Sequence, residues 1–340
     1  MFRTEKPRSP SPFHFRLPGK KNPSSSPSSK TLSLRARSFD ENLLHRLKTL
    51  KSASDPPYAT FSWLSKAIDL LSSTHADAET LISDLTASEK SLASYLDDSV
   101  KILDVCNSIS SEIERLRQGR LLLNFTLHLL DLSAGSPPAP EKLRRARESL
   151  YEWAKSSPAA SNRRLTLEKS AALIKDLASK FGNSPRGKIS SVEKVIERTI
   201  YAVGAVTVFV AGVVVATLSG SADLVAIPVS VEFLWSDAFV DLQSAVLGSI
   251  KKRFSGEKGR FAVEREAVET SVRALVDVIG DDVAGVEGKT ERLTDAVKEL
   301  ENVTAEFSDG LETLLNGVNG FFRAVLCTRN TLLKSFRGSP

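Results

Sequence analysis

Thr199–Ala222, TIYAVGAVTVFVAGVVVATLSGSA, carries no charged side chain between Arg198 and Asp223. As a helix rising about 1.5 Å per residue it would reach roughly 36 Å, enough to cross a hydrocarbon core of about 30 Å with some tilt. Its valines, Ile200, Phe209 and Leu218 favour insertion by about 0.3–0.6 kcal/mol each near a bilayer centre. Its glycines, serines, threonines and Tyr201 subtract from that sum, so insertion is marginal. Gly212, Ala216 and Gly220 recur every four residues, a line of small side chains that admits a neighbouring helix closely. Such a line suits a membrane helix pair and the centre of a globular bundle equally. Two readings therefore stand: a single membrane span, or a central helix buried on all sides.

Arg186, Lys188, Lys194 and Arg198 precede the stretch, and the fifteen residues after it hold Asp223, Glu232 and Asp237 but no Lys or Arg. If the stretch spans a membrane, this asymmetry places its N-terminal side in the cytosol or a plastid stroma. The basic run Lys251-Lys252-Arg253 farther on weakens the bias.

Working outward, hydrophobic spacing makes the chain all-α: long amphipathic helices in a bundle around the central apolar one, behind a basic tail. Residues 1–38 are Ser-, Pro- and Arg-rich and read as disordered. They also suit an organelle transit peptide or attachment to an anionic membrane surface. Nine Lys or Arg against Glu5 and Asp40 fall in the first forty residues of a chain whose net charge is only +5. The remainder is near neutral, which excludes a broad nucleic-acid-binding face.

Residues 39–181 are expected to form an N-terminal bundle. Asp40 would cap a first helix ending at Lys51, and a second carries Leu64, Ile68, Leu71, His75, Ala78, Ile82 and Leu85 on one face. His75 is read there as a core or boundary residue. Tyr95 to Leu130 makes a third helix, or a pair broken near Gly119, and Glu141–Lys155 and Leu165–Lys180 make two more. Lys142, Arg144, Arg145 and Arg147 alternate with glutamates as a solvated face.

Residues 229–340 form the C-terminal region, with a helix expected over Val229–Ile250. Leu293, Val297, Leu300, Thr304, Phe307, Leu311, Leu314, Val318, Phe321 and Val325 then alternate by four and three for about four and a half heptads. Gly310, Gly317 and Gly320 each cost about 1 kcal/mol of helix propensity, so this seam needs a packing partner. The Phe261–Ile279 helix supplies one as an antiparallel hairpin; a second copy of the chain is the alternative.

No catalytic, cofactor-binding or metal site is legible. Val283 stands where the first glycine of a phosphate-binding loop ending Gly288-Lys289-Thr290 belongs. Four histidines and two cysteines, Cys106 and Cys327, show no metal-binding or disulfide spacing, and a reducing compartment is the simpler setting. No secretory signal peptide is read at the start. Asp237 and Asp241, one helical turn apart, lack a third partner and are read as caps or solvated side chains. Asn124-Phe125-Thr126 and Asn302-Val303-Thr304 match the glycosylation pattern but fall within expected helices.

Several segments are specific enough to resemble a known family. They are Ser62-Trp63-Leu64-Ser65-Lys66-Ala67, Thr74-His75-Ala76, Leu81-Ile82-Ser83-Asp84-Leu85 and, above all, the run from Tyr95-Leu96-Asp97-Asp98-Ser99 through Val105-Cys106-Asn107. Ser110-Ser111-Glu112-Ile113-Glu114-Arg115-Leu116, Arg117 to Leu123 and the closing Arg329-Asn330-Thr331-Leu332-Leu333 extend it. From about Phe39 onward the chain resembles the plant BYPASS family. That resemblance implies a regulator of root and shoot development that restrains a root-derived mobile signal arresting shoot growth, with one membrane segment near 199–222 and a plastid or endomembrane location. It carries over no catalytic residue, cofactor or nucleic-acid partner, so a non-enzymatic regulator or scaffold with unidentified protein partners is expected. An enzyme or binding protein for a small apolar precursor, and a cytoplasmic interaction protein that self-associates through its seam, remain the alternatives.

Overall fold

The computed structural model describes residues 29–52, 58–83, 85, 89–131, 138–155, 164–185, 187, 189, 191–254, 262–280 and 286–337. Among these the regular elements are helices: α1 (Ser29–Ser52), α2 (Phe61–Ser83), α3 (Glu89–Leu129), α4 (Pro140–Lys155), α5 (Arg164–Ser179) with a 3-10 turn after it (Lys180–Gly182), α6 (Val192–Ser219), α7 (Ser236–Phe254), α8 (Val263–Gly280) and α9 (Val286–Arg337). The all-α expectation holds. α6 carries the apolar stretch and is surrounded by α1, α2, α3, α5 and α7, while α9 lies against α2, α3 and α8. α2 and α3 touch both long-range partners and so join the two halves of the sequence into one core.

Two boundaries depart from expectation. α1 begins at Ser29, so residues 29–38 are helical and not tail; residues 1–28 lie outside the described residues. The cause is packing: Leu32, Ala36 and Phe39 continue the buried face of Leu43, Leu47 and Leu50 one turn at a time. Asp40 is consequently inside a helix and not at its cap. α3 runs unbroken past Gly119, the single helix of the two expected readings and not the broken pair. The helix expected from Val229 starts only at Ser236, because residues 221–235 form an extended strap with turns, in which Phe233 N–H donates to the Ser230 carbonyl at 3.2 Å.

The 293–325 seam is filled from within the chain. Leu293, Leu300, Phe307, Leu311, Leu314, Val318 and Phe321 are buried, with Val297 partly so. α8 forms the expected hairpin with α9, but the deepest contacts come from α2. Phe61 meets Phe307 with ring centroids 5.7 Å apart, Ile68 approaches Gly317, and His75 meets Phe321 edge-on at 5.1 Å. Residue numbers rise together along the two helices, so α2 and α9 are parallel. Glu264 at the start of α8 accepts the Phe61 N–H at 2.7 Å, tying the α8–α9 hairpin to the first turn of α2.

This geometry separates glycines that looked equivalent. A Cβ at position 310 would stand 2.8 Å from Phe61 Cδ2, whereas at position 320 it would meet nothing within 4 Å. Gly310→Val should therefore lose about 1–3 kcal/mol by overpacking, and Gly320→Ala should gain about 0.5–1 kcal/mol of helix propensity, both read from urea unfolding. Leu314→Glu should unfold the monomer and not merely dissociate an oligomer. It forfeits the about 2–5 kcal/mol of a buried leucine and adds a desolvated carboxylate, so circular dichroism should show lost helix at every protein concentration.

Candidate functional site

α6 passes His75 in the core and ends at the open cleft beside α5. Ser191 caps its start by accepting the Lys194 N–H at 3.2 Å, and Gly220 ends it in the left-handed region at φ 69°. The Gly220 and Ser221 N–H groups both return to the Ala216 carbonyl, a closure that glycine adopts without steric cost. The small-residue line thus divides in role. A Cβ on Gly212 would lie 3.3 Å from Leu224 Cδ2 and 3.5 Å from Ile174 Cγ2, so Gly212 admits the strap and α5. Ala216 is buried one turn later, and Gly220 is a stop signal. α6 has the length and mean hydropathy, 2.2 over its most apolar 18 residues, to cross a bilayer, yet 83% of that window is buried inside the protein.

The strap is pinned at both faces. Gln243 closes on Ile227 with its amide, accepting the Ile227 N–H at 2.7 Å and donating to the Ile227 carbonyl at 3.0 Å, which satisfies a buried peptide as a strand would. Tyr201 donates to the Pro228 carbonyl at 2.8 Å and stacks on Phe233 at 5.2 Å, with the Arg198 guanidinium 4.3 Å above the same ring.

Four helices meet at His75. Its Nε2 lies 3.0 Å from Thr207 Oγ1 on α6, its Nδ1 lies 3.4 Å from the Tyr95 hydroxyl on α3, and its ring contacts Phe321 on α9. Full burial drives its pKa down to about 3, so the imidazole is neutral at physiological pH. Burial likewise raises the Tyr95 phenol. Just outside, Glu79 accepts from Thr328 at 3.2 Å and Thr331 at 2.9 Å, fixing the end of α9 on α2. This is a register lock, since no substrate-sized space adjoins the imidazole among the described cavities.

An open site lies elsewhere, between α5 and the last turns of α6. A recess of about 40 Å³ under the strap opens into an outer chamber of about 470 Å³, the two sharing Ala171, Lys175, Ser219, Ser221 and Asp223. Lys175 Nζ and Asp223 span the rim at 2.5 Å. Glu112, itself held by Arg115 with an Nε–Oε2 distance of 2.9 Å, and Glu168 face the chamber. Gly212, Ala216 and Gly220, which the sequence offers as a membrane or helix-packing line, border this site; Lys175, Asp223, Glu112 and Glu168, missed there, lie on three separate segments with no local spacing to connect them.

The remaining candidates stay apart. Cys106 is buried, with its thiol pushed up to about 12 by burial, and Cys327 is exposed; both are free. Asp241 pairs with Lys51 at 2.8 Å. Gly288, Lys289 and Thr290 fall in the first turns of α9, and residues 281–285 lie outside the described residues. Arg144 pairs with Glu141 and Glu148 on an exposed face. Among the described residues no group of His, Cys, Asp and Glu is arranged for a metal ion.

Asp40 and His75 give opposite pH signatures. Burial raises Asp40 to about 6 despite the opposing charge of Arg198, so the folded state holds a proton there that the unfolded chain releases above its ordinary 3.8; stability from this group falls as pH rises through that window. Neutral His75 works in reverse. The unfolded chain binds a proton below 6.5 and the folded state only near 3, so stability falls on acidification. Between about pH 4 and 6 the two nearly cancel. Asp40→Asn should expose the histidine slope, a loss approaching about 1.4 kcal/mol per pH unit on acidification, and His75→Gln should tilt the profile the other way. Urea midpoints at pH 4, 5, 6 and 7 test this; profiles parallel to the unsubstituted protein would refute it.

Comparison with known proteins closes the question of kinship. The family model described as Protein ROH1-like matches residues 20–171 and 167–336. The chain is 33% identical over 316 residues to Protein BPS1, chloroplastic, of Arabidopsis thaliana, covering 91% of this chain and 85% of that one. It is 38% identical over 246 residues to UPF0496 protein 4 of Oryza sativa subsp. japonica, covering 70% of this chain and 52%, about half, of the rice protein. Protein ROH1D of Arabidopsis thaliana is 27% identical over 128 residues, 34% of this chain and 32% of its own. No solved structure matches. Matches of this extent, falling on the helices that form the core, show that the chain belongs to the ROH1-like family, the plant BYPASS family that its helix motifs resemble.

Proposed function

We propose that this protein is a non-enzymatic helical regulator of plant root and shoot development, restraining a root-derived mobile signal that arrests shoot growth, and that α6 is the core strut of a water-soluble bundle. The observation that carries the second half is the burial of 83% of the most apolar window of α6 by protein. A helix already enclosed by five others has little apolar surface left to offer lipid, and inserting it would strip α1, α2, α3, α5 and α7 of their shared core. The first half rests on kinship with the Arabidopsis protein and on a chain whose polar interior groups, His75, Gln243 and Glu79, support packing. The chloroplastic designation of that relative and the acid-poor, Ser-rich and basic residues 1–28 favour a plastid location.

Alkaline carbonate extraction of the tagged full chain from plant membranes should leave it in the supernatant. Retention in the pellet with only one end protected from protease would establish a span and overturn the core-strut reading. For the regulatory half, root expression in Arabidopsis thaliana plants lacking BPS1 should restore shoot growth, and Cys327→Ser or Asp237→Asn/Asp241→Asn should rescue as fully. Failure of a folded variant of this kind would point to chemistry at the substituted group.

A further inference from the structure

The chamber between α5 and the end of α6 is not needed for the packing role. Its volume of about 470 Å³ falls in the range of about 300–1,000 Å³ typical of small-molecule sites. The recess behind it, about 40 Å³ against the roughly 10–15 Å³ that one water requires, has room for a short chain of methylenes.

The two parts differ in chemistry. The inner wall of the recess is formed by Ile174, Val208, Gly212, Val215, Leu224 and Ile227, all without a polar side-chain atom, while Lys175, Ser219, Ser221 and Asp223 line it where it meets the chamber. The chamber places three carboxylates, Glu112, Glu168 and Asp223, against one ammonium, Lys175. The C-terminal end of the 28-residue α6 also opens here, through Ser219 and Gly220, and its last turn holds no basic residue. Glu112 is held by Arg115 and Asp223 by Lys175, which leaves Glu168 as the carboxylate in excess; a helix C-terminus adds about half a negative charge, so the chamber is negative on balance. The Lys175–Asp223 pair is exposed and joins α5 to the strap across the rim, where an incoming cation can exchange for the lysine.

From this juxtaposition we infer that the cleft binds a small organic cation, a primary ammonium head in the carboxylate chamber with a short aliphatic tail in the recess. Hexylamine is the probe. In saturation-transfer NMR with the full-length protein, its terminal methyl should receive the strongest saturation, and hexanoate should show at least fivefold less. Ala171→Leu, which projects into both compartments, should abolish the hexylamine signal. Glu168→Lys, on the exposed face of α5, should weaken hexylamine binding at least tenfold and improve hexanoate, with helix content by circular dichroism unchanged. Absence of hexylamine saturation in the folded wild-type protein would overturn the site. Equal saturation of amine and carboxylate would overturn the ligand class, and signals untouched by both substitutions would place the binding elsewhere.

Discussion

Desolvation of α6 is the constraint to which the other helices answer. Its apolar side chains are distributed around the whole circumference, so one packing face cannot satisfy it and neighbours are required on every side. α1, α2, α3, α5 and α7 supply those faces, and the strap of residues 221–235 covers what they leave open. The aromatic chain Tyr201, Phe233, Trp235, Phe239 and Phe209 runs from α6 through the strap to α7 and back, each pair with centroids 5.0–5.6 Å apart. Gln243 then resolves the one cost of burying a strap, a peptide without a helical partner.

The second half of the core follows from the parallel alignment of α2 and α9. A hairpin with α8 alone would leave one side of the heptad face of α9 open. Adding α2 in parallel requires the chain to return across the whole bundle, and it does so through α3 to α8. The alignment is held at both ends by different chemistry: Glu264 on the Phe61 amide at the start, Glu79 on Thr328 and Thr331 at the finish. Between them Gly310 and Gly317 let α2 side chains approach the α9 backbone. His75 joins this second core to the first through Thr207, which explains why a titratable residue occupies an otherwise apolar face.

Polar groups deep in the bundle hold helices to one another, while those at the end of α6 face open space. That separation is physical. Where α6 stops at Gly220, its last turn and its backbone dipole border the chamber lined by Glu168, Lys175 and Asp223. The same three small residues therefore admit the strap at Gly212, stay buried at Ala216 and border open space at Gly220.

By itself the sequence determined the helical class, the buried face of α2, the heptad seam of α9, the burial of His75 and the family, because each depends on spacing within one segment or on motif identity. It also located Ser29–Ser38 in a tail, since polar composition outweighed Leu32 and Ala36, whose significance appears only when α1 has something to lie against. Only the tertiary structure decided that the apolar stretch is enclosed by protein, that the seam faces α2 as well as α8, and that Glu112, Glu168, Lys175 and Asp223 share one chamber. A marginally apolar helix has nearly the same composition whether lipid or side chains surround it. What surrounds it is a property of partners distant in the chain, which local periodicity does not encode.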